Sequence, residues 1–352
     1  MKVFVTDLAQ YENQVITSFF LVHSRDARAT RKGKPYLALR LGDLTGVVEA
    51  RVWEETDDIA AFDANDFVKV QARVELYRDQ LQLKVEKLRR ARPDEIQVAD
   101  YFPRTTKDVE ALYAELRRVA ESVSDPHLRS LLASVLDDAE IAGKLKQAPG
   151  AKHLHHAYLG GLLEHIVSLC QLAERVAAHY PFLNRDLLLT GVVLHDLGKI
   201  DELSYPAADA APDAARALDY TTDGRLLGHI VLELEVANRK MDAIPGFPPE
   251  LRRLVRHLIA SHHGRIEFGS PVLPQTLEAL VLHYLDDLDS KIEAMRSSLA
   301  AAEPDAEWTG WNRALERFIY RPRLPACPAA GGAAADLPES AAPLFEEKKS
   351  SK

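Results

Sequence analysis

The chain has 352 residues, 47% apolar and 28% charged, with a formal net charge of −9; that is more than one hydrophobic core usually serves, so two domains of ordinary globular composition are expected. No apolar run reaches the roughly 18 residues of a membrane-spanning helix, the stretch from Met1 to Glu12 has no signal-peptide core, and a cytoplasmic location is expected. Cys170 and Cys327 are the only cysteines, which excludes a disulfide framework and a cysteine-built zinc site.

Residues 1–93 hold 16 Lys and Arg against 14 Asp and Glu, whereas the remainder holds 28 against 39. The acidic balance therefore belongs to the later part of the chain, and local basic clusters near the start bear more on anionic partners. Along that start, 15–22 is rich in β-branched and aromatic residues. Residues 36–41 alternate, turn at Gly42–Gly46, and alternate again over 47–53, and 67–76 and 80–88 complete five strand candidates. A short helix is expected around 57–62. Five short strands with such a helix indicate a small barrel of the OB type.

Around Pro93 and Pro103 the chain reads as a linker, placed at 94–106. Helical periodicity follows over 107–124, 125–138, 157–179, 185–197, 226–241, 248–262 and 274–299. The stretch 205–223 reads as a surface loop, and 321–352 as a low-complexity, disordered tail. The expected architecture is α+β and multidomain: a five-stranded barrel at 1–93 followed by an all-α bundle at 107–320.

Eleven of the thirteen histidines lie between residues 153 and 283. His165 sits in GGLLEHIVSL, His195-Asp196 ends an apolar run, His229 lies in GRLLGHIVLE, His262-His263 ends another helix, and Asp286 lies in LHYLDDLDSK. Each alone reads as readily as a hydrogen-bonded or surface residue. Together they come from five helices that can converge in a bundle, where metal sites are built from facing side chains. Imidazoles and carboxylates suit Mn, Fe, Co or Zn, and two such ions about 3.5–4 Å apart activate water and clamp the attacking and leaving oxygens of a phosphoryl displacement. In LDDLDS the ligand is left between Asp286, Asp287 and Asp289. Asp286 and Asp289 share a helix face.

The ordered set H…HD…H…HH…D resembles the HD superfamily of metal-dependent phosphohydrolases. That resemblance implies an all-α HD domain. It also implies one metal on His165, His195, Asp196 and Asp286, and a second on Asp196, His229, His262 and His263, with Asp196 bridging. The family pattern favours Asp286 over its neighbours and leaves Asp289 as its support. Lys199, in HDLGK, matches the family lysine that faces substrate phosphate, with a solvated helix-end lysine as the alternative. With HHAYLGGLLEH, HHGRIEFGSPVLPQTLEA and KGKPYLALRLGDLTGVVEARVW, the resemblance extends to the YhaM-type 3′-5′ exoribonucleases, an OB domain joined to an HD domain. It implies hydrolysis of single-stranded RNA, with single-stranded DNA as second candidate, to nucleoside 5′-monophosphates. The implied cofactors are two divalent ions, manganese first, with iron, cobalt, magnesium or zinc as alternatives. His155 and His156 match the family's HHA stretch, where they would touch the scissile phosphate or else cap a helix.

OB barrels hold single strands in a basic groove with aromatic platforms. The candidates are Arg28, Arg31, Lys32 and Lys34 between the first two strands, Tyr36, Trp53 and Tyr77 as platforms, and Arg51 at a phosphate, with Arg265 at the HD entrance. For the aromatics the alternative is barrel core. Two rival functions are an HD phosphohydrolase for nucleotides or cyclic dinucleotides and a non-catalytic strand-binding adaptor. The first lacks the GYP signature after His262-His263, and the second is at odds with the complete donor set. A homo-oligomer is left open.

Overall fold

Period-two apolar patterning puts one face of every early strand inward. A computed structural model describes residues 2–30, 33–53, 62–151, 158–205, 218–303, 305–313 and 315–322. In it β1 (Val15–Ala29), β2 (Pro35–Asp43), β3 (Gly46–Val52), β4 (Phe67–Tyr77) and β5 (Gln80–Arg90) close a barrel in the order β1-β2-β3-β5-β4. All pairings are antiparallel except β3 with β5. This is an OB-type barrel, and Phe20, Val22, Leu39, Leu41, Ala50, Val68 and Leu83 fill it. The helix expected around 57–62 falls mostly outside the described residues.

The first half of the stretch 25–34, expected as a loop, is strand as far as Ala29. β1 pairs with β4 over Val15–Leu21 and with β2 from Leu21 to Ala29, with an irregularity between Val22 and Ser24. Closing a small barrel needs a bent strand shared by two neighbours. Its outer half projects beyond the core, so the apolar alternation that marks a strand is missing there.

The segment expected as a linker is packed at both ends. Tyr101 is buried with Leu21 and Phe67, its ring 4.6 Å from that of Phe67, and Asp100 accepts from the Leu44 amide at 2.8 Å. A few residues on, Leu159 exchanges backbone hydrogen bonds with Pro103 and Thr105, and the Thr105 hydroxyl donates to Glu164 at 2.6 Å.

Nine helices follow among the described residues: α1 (Val109–Glu121), α2 (Pro126–Leu136), α3 (Ala139–Leu145), α4 (Gly161–His179), α5 (Arg185–Leu194), α6 (Lys199–Glu202), α7 (Thr222–Asp242), α8 (Pro249–Ser261) and α9 (Leu277–Ala301). Asp108, Asp125 and Asp138 cap α1, α2 and α3 with side-chain acceptors for the first free amides. The helix expected over 125–138 is α2, and the Asp138 cap then starts α3, in a stretch where no helix was expected. Strand β6 (Leu203–Ser204), just before the stretch read as a loop, pairs with β7 (Asp219–Tyr220) inside it. One apolar core joins α1, α2, α4, α5, α7, α8 and the first half of α9. None of the described helices is long and apolar enough to cross a membrane.

Residues 298–322 belong to a second compact unit. Within it Trp308 pairs with Tyr320 and Asn312 with Arg317, and the Trp308 and Tyr320 rings lie 5.1 Å apart. The tail expected from 321 lies outside the described residues beyond position 322.

Candidate metal centre and nucleic-acid surface

The α5 sequence LLLTGVVL is buried throughout and delivers His195 and Asp196 to the middle of the bundle. Gly198 follows them, and a Cβ there would stand 2.2 Å from the His229 carbonyl oxygen. Only glycine lets the HD turn lie this close to α7. α7 itself breaks at Gly228, whose φ of 73° is left-handed. Both the His229 amide and its Nδ1 lie 3.1 Å from Glu202 Oε1, which accepts from them.

Seven side chains converge. Ligand-capable atoms of His165, His195, Asp196 and Asp286 lie within 4.8 Å of one another, and so do those of Asp196, His229, His262 and His263. Asp196 belongs to both groups. Its Oδ1 lies 3.5 Å from His229 Nε2 and 3.6 Å from His262 Nε2. Its Oδ2 lies 3.5 Å from His195 Nε2 and 3.8 Å from His165 Nε2.

The histidine tautomers follow from hydrogen bonding. His195 Nδ1 is 2.9 Å from the Val192 carbonyl, His262 Nδ1 2.8 Å from that of Ile259, and His263 Nδ1 2.8 Å from that of Phe268. A carbonyl only accepts, so each Nδ1 carries the proton and, in the neutral ring, Nε2 carries the lone pair. The Nε2 atoms of His195, His229 and His262 and Asp196 Oδ1 are buried without a hydrogen-bond partner. Four buried acceptors facing one another are costly unless a cation sits between them. The donor set therefore fits divalent metal.

The charges agree with that fit. Burial alone would raise Asp196 and Asp286. Lys199, His195 and His229 hold Asp196 well below the usual carboxylate range, and His165 and His195 do the same for Asp286. Burial would lower His165, but Asp286 and Asp289 override it and push it up to about 9. Carboxylates that draw a proton this strongly draw a metal ion in the same way. Burial and the rings of His263 and His195 push His262 well below its ordinary value, which keeps it neutral.

Asp286 Oδ1 lies 3.2 Å from His165 Nε2. Asp287 turns outward to Lys291 at 2.7 Å. Asp289 approaches His165 from behind, 2.9 Å from Nδ1, and accepts from the Ser168 hydroxyl at 2.8 Å. Lys199 lies against Asp196 Oδ2 at 2.5 Å. Two carboxylates escaped the sequence reading. Glu202 orients His229. Glu233 is fully buried, neither oxygen makes a hydrogen bond, and burial and then Asp196 push it well above its ordinary value. Its place four residues after His229, on the same helix face, was the available signal.

On the barrel, Arg28 stands opposite Tyr36 across β1 and β2. The Tyr36 ring stacks on Trp53 with centroids 4.9 Å apart, and Arg51 donates to the Tyr36 hydroxyl at 3.2 Å. Arg28, Tyr36, Arg51 and Trp53 thus share one surface. Trp53 is 45% exposed, whereas Phe67 is core. Arg28 is paired with Asp26 at 3.1 Å, Lys34 is exposed, and exposed Tyr77 ends β4, beside Arg78. Arg265 is exposed just after His263. Arg31, Lys32, His155 and His156 lie outside the described residues.

Residues 162–291 match the HD domain family. The chain is 33% identical over 319 residues to the 3′-5′ exoribonuclease YhaM of Geobacillus sp. (strain WCH70), an alignment covering 90% of this chain and 94% of that protein. It is 33% identical over 310 residues to the protein of the same name from Bacillus velezensis, covering 87% of this chain and 95% of that one. Among solved structures, the second OB-fold domain of replication protein A from Methanococcus maripaludis is 20% identical, with 25% of this chain and 92% of that chain covered and a TM-score of 0.20.

Proposed function

As a member of the YhaM family of HD-domain exoribonucleases, this chain is a metal-dependent hydrolase that shortens RNA from its 3′ end, and we propose that it acts on single strands, holds two divalent ions and releases nucleoside 5′-monophosphates. The observation that carries this reading is Asp196, a single carboxylate whose two oxygens face two separate groups of histidines. Divalent ions held there, manganese being the first candidate, supply activated water and neutralise the phosphate's charge. The chain's own residues do the rest. His165, His195, Asp196 and Asp286 hold one ion, and Asp196, His229, His262 and His263 the other. Glu202 and the Val192, Ile259 and Phe268 carbonyls fix the imidazole tautomers. Lys199, buried at Asp196, meets the anionic phosphate, with His156 as its proposed companion.

The barrel at 1–93 guides the strand. A stacked pair with Trp53 exposed and arginines alongside is what single strands bind: the bases find π-faces and the phosphates find cations. RNA labelled at its 3′ end should yield labelled mononucleotide at the first time point with Mn2+, and RNA labelled at its 5′ end should yield a shortening ladder. A duplex resisting no better than a single strand would sink the single-strand assignment.

The two residue classes on the barrel should separate in binding measurements. Replacing Arg28 and Lys34 with Ala should flatten the dependence of log affinity on log salt by about 1.4, at about 0.7 for each phosphate left without its cation. Trp53→Ala should instead cost roughly 1–3 kcal/mol and leave that slope alone. An unchanged slope in the double variant would return these two cations to solvent.

A further inference from the structure

The centre is buried unevenly. His165, His195, Asp196 and His262 are essentially inaccessible, whereas His263 and Asp286 are only partly buried. The centre is therefore least covered along its His263 and Asp286 edges, and the chain that follows His263, GRIEFGSP, borders the first of them as its rim. That rim presents large apolar side chains to solvent: Ile266 is 68% exposed and Phe268 57%.

The rim is firmly held. The Phe268 amide donates to the Arg265 carbonyl at 3.1 Å, the Gly269 amide to Ile266 at 2.9 Å and the Ser270 amide to Arg265 at 3.1 Å. The Ser270 hydroxyl lies 3.1 Å from the Ala260 carbonyl and 2.9 Å from that of Val272. At its start, Gly264 has a φ of 74°, and a Cβ there would stand 2.2 Å from the His283 ring. The Phe268 carbonyl accepts from His263 Nδ1, which ties this residue's backbone directly to the centre. Its ring is left outward with the Arg265 guanidinium 5.7 Å from its centroid. Fixing an exposed phenylalanine beside a catalytic centre stabilises nothing in the free protein, but it supplies a stacking face with a cation alongside.

We propose that Phe268 is the platform on which the base of the 3′-terminal nucleotide stacks while its phosphate occupies the centre, with Arg265 alongside. The assignment rests on the exoribonuclease reading above and adds a subsite to it. Stacking does not discriminate between bases, since every base has a π-face. The subsite therefore positions any terminal nucleotide and tolerates all four.

The test compares two RNAs that differ only at the 3′ end, one with a normal terminal nucleotide and one with an abasic residue. Wild-type protein should favour the base-bearing end in kcat/KM by roughly 5- to 150-fold, the equivalent of one stacked base. Phe268→Ala should lose that preference through KM while cleaving the abasic end as wild type does, and Phe268→Tyr should restore the preference. Equal slowing of both substrates in Phe268→Ala would mean that the residue only supports His263, and a preference kept in full would place the base elsewhere. Either result overturns the assignment. Wild-type protein that removed no 3′ label from either RNA would instead count against the parent reading.

Discussion

Asp196→Asn should lower RNA hydrolysis by on the order of 10³-fold, equivalent to about 4 kcal/mol of transition-state stabilisation, and should strip divalent metal from the protein on dialysis. Asparagine keeps the shape but loses the charge that serves both histidine groups at once. The substitution also leaves the buried Lys199 ammonium without its 2.5 Å partner, a loss of roughly 3 kcal/mol in the metal-free protein. Adding Lys199→Met should therefore recover the melting temperature and none of the activity. Metal content read by atomic spectroscopy, helical circular dichroism and turnover together decide the matter. An Asp196→Asn protein that retains metal and turns over normally would refute the shared-carboxylate assignment.

Asp289→Ala should have the next largest effect, a loss of about 10- to 100-fold in metal affinity, as for other groups that orient a liganding histidine. Asp289 does not face the centre. It accepts from His165 Nδ1 and from Ser168, and so fixes the ring whose Nε2 points at Asp286. Asp287→Ala on the same helix, where the side chain meets Lys291 at the surface, should leave affinity unchanged. Isothermal titration with Mn2+ distinguishes the pair. If Asp287→Ala proved the more damaging, the orientation of α9 described above would be wrong.

The histidine set was legible because each member sits at the end of, or on the inner face of, a strongly periodic apolar helix. Periodicity fixes which face turns inward, and His195, His262 and Asp286 follow from it. The carboxylates that support them were not legible. Glu202 and Glu233 are hydrophilic letters in helices and read as solvent-facing. They are buried because they accept from, or lie beneath, the His229 backbone and the HD turn, a relation set by α6 meeting α7 across Gly198. The outer half of β1 was hidden for the opposite reason: its residues face water on both sides, so no alternation marks it. The short sheet of β6 and β7 is too brief for any pattern to register.

The connection between barrel and bundle is anchored in its first part by Tyr101 and Asp100 to the barrel, and in its next few residues by Pro103 and Thr105 to the segment that leads into α4. A strap pinned at both ends should hold the stacking surface at a set span from the metal centre, and a set span is a ruler. It follows that RNAs too short to bridge it forfeit the barrel's contribution all at once, with affinity falling in a step as length decreases. A strand ending in a stem should likewise stall at a set number of nucleotides from the stem's base, a number that belongs to the protein and stays the same for weak and strong stems.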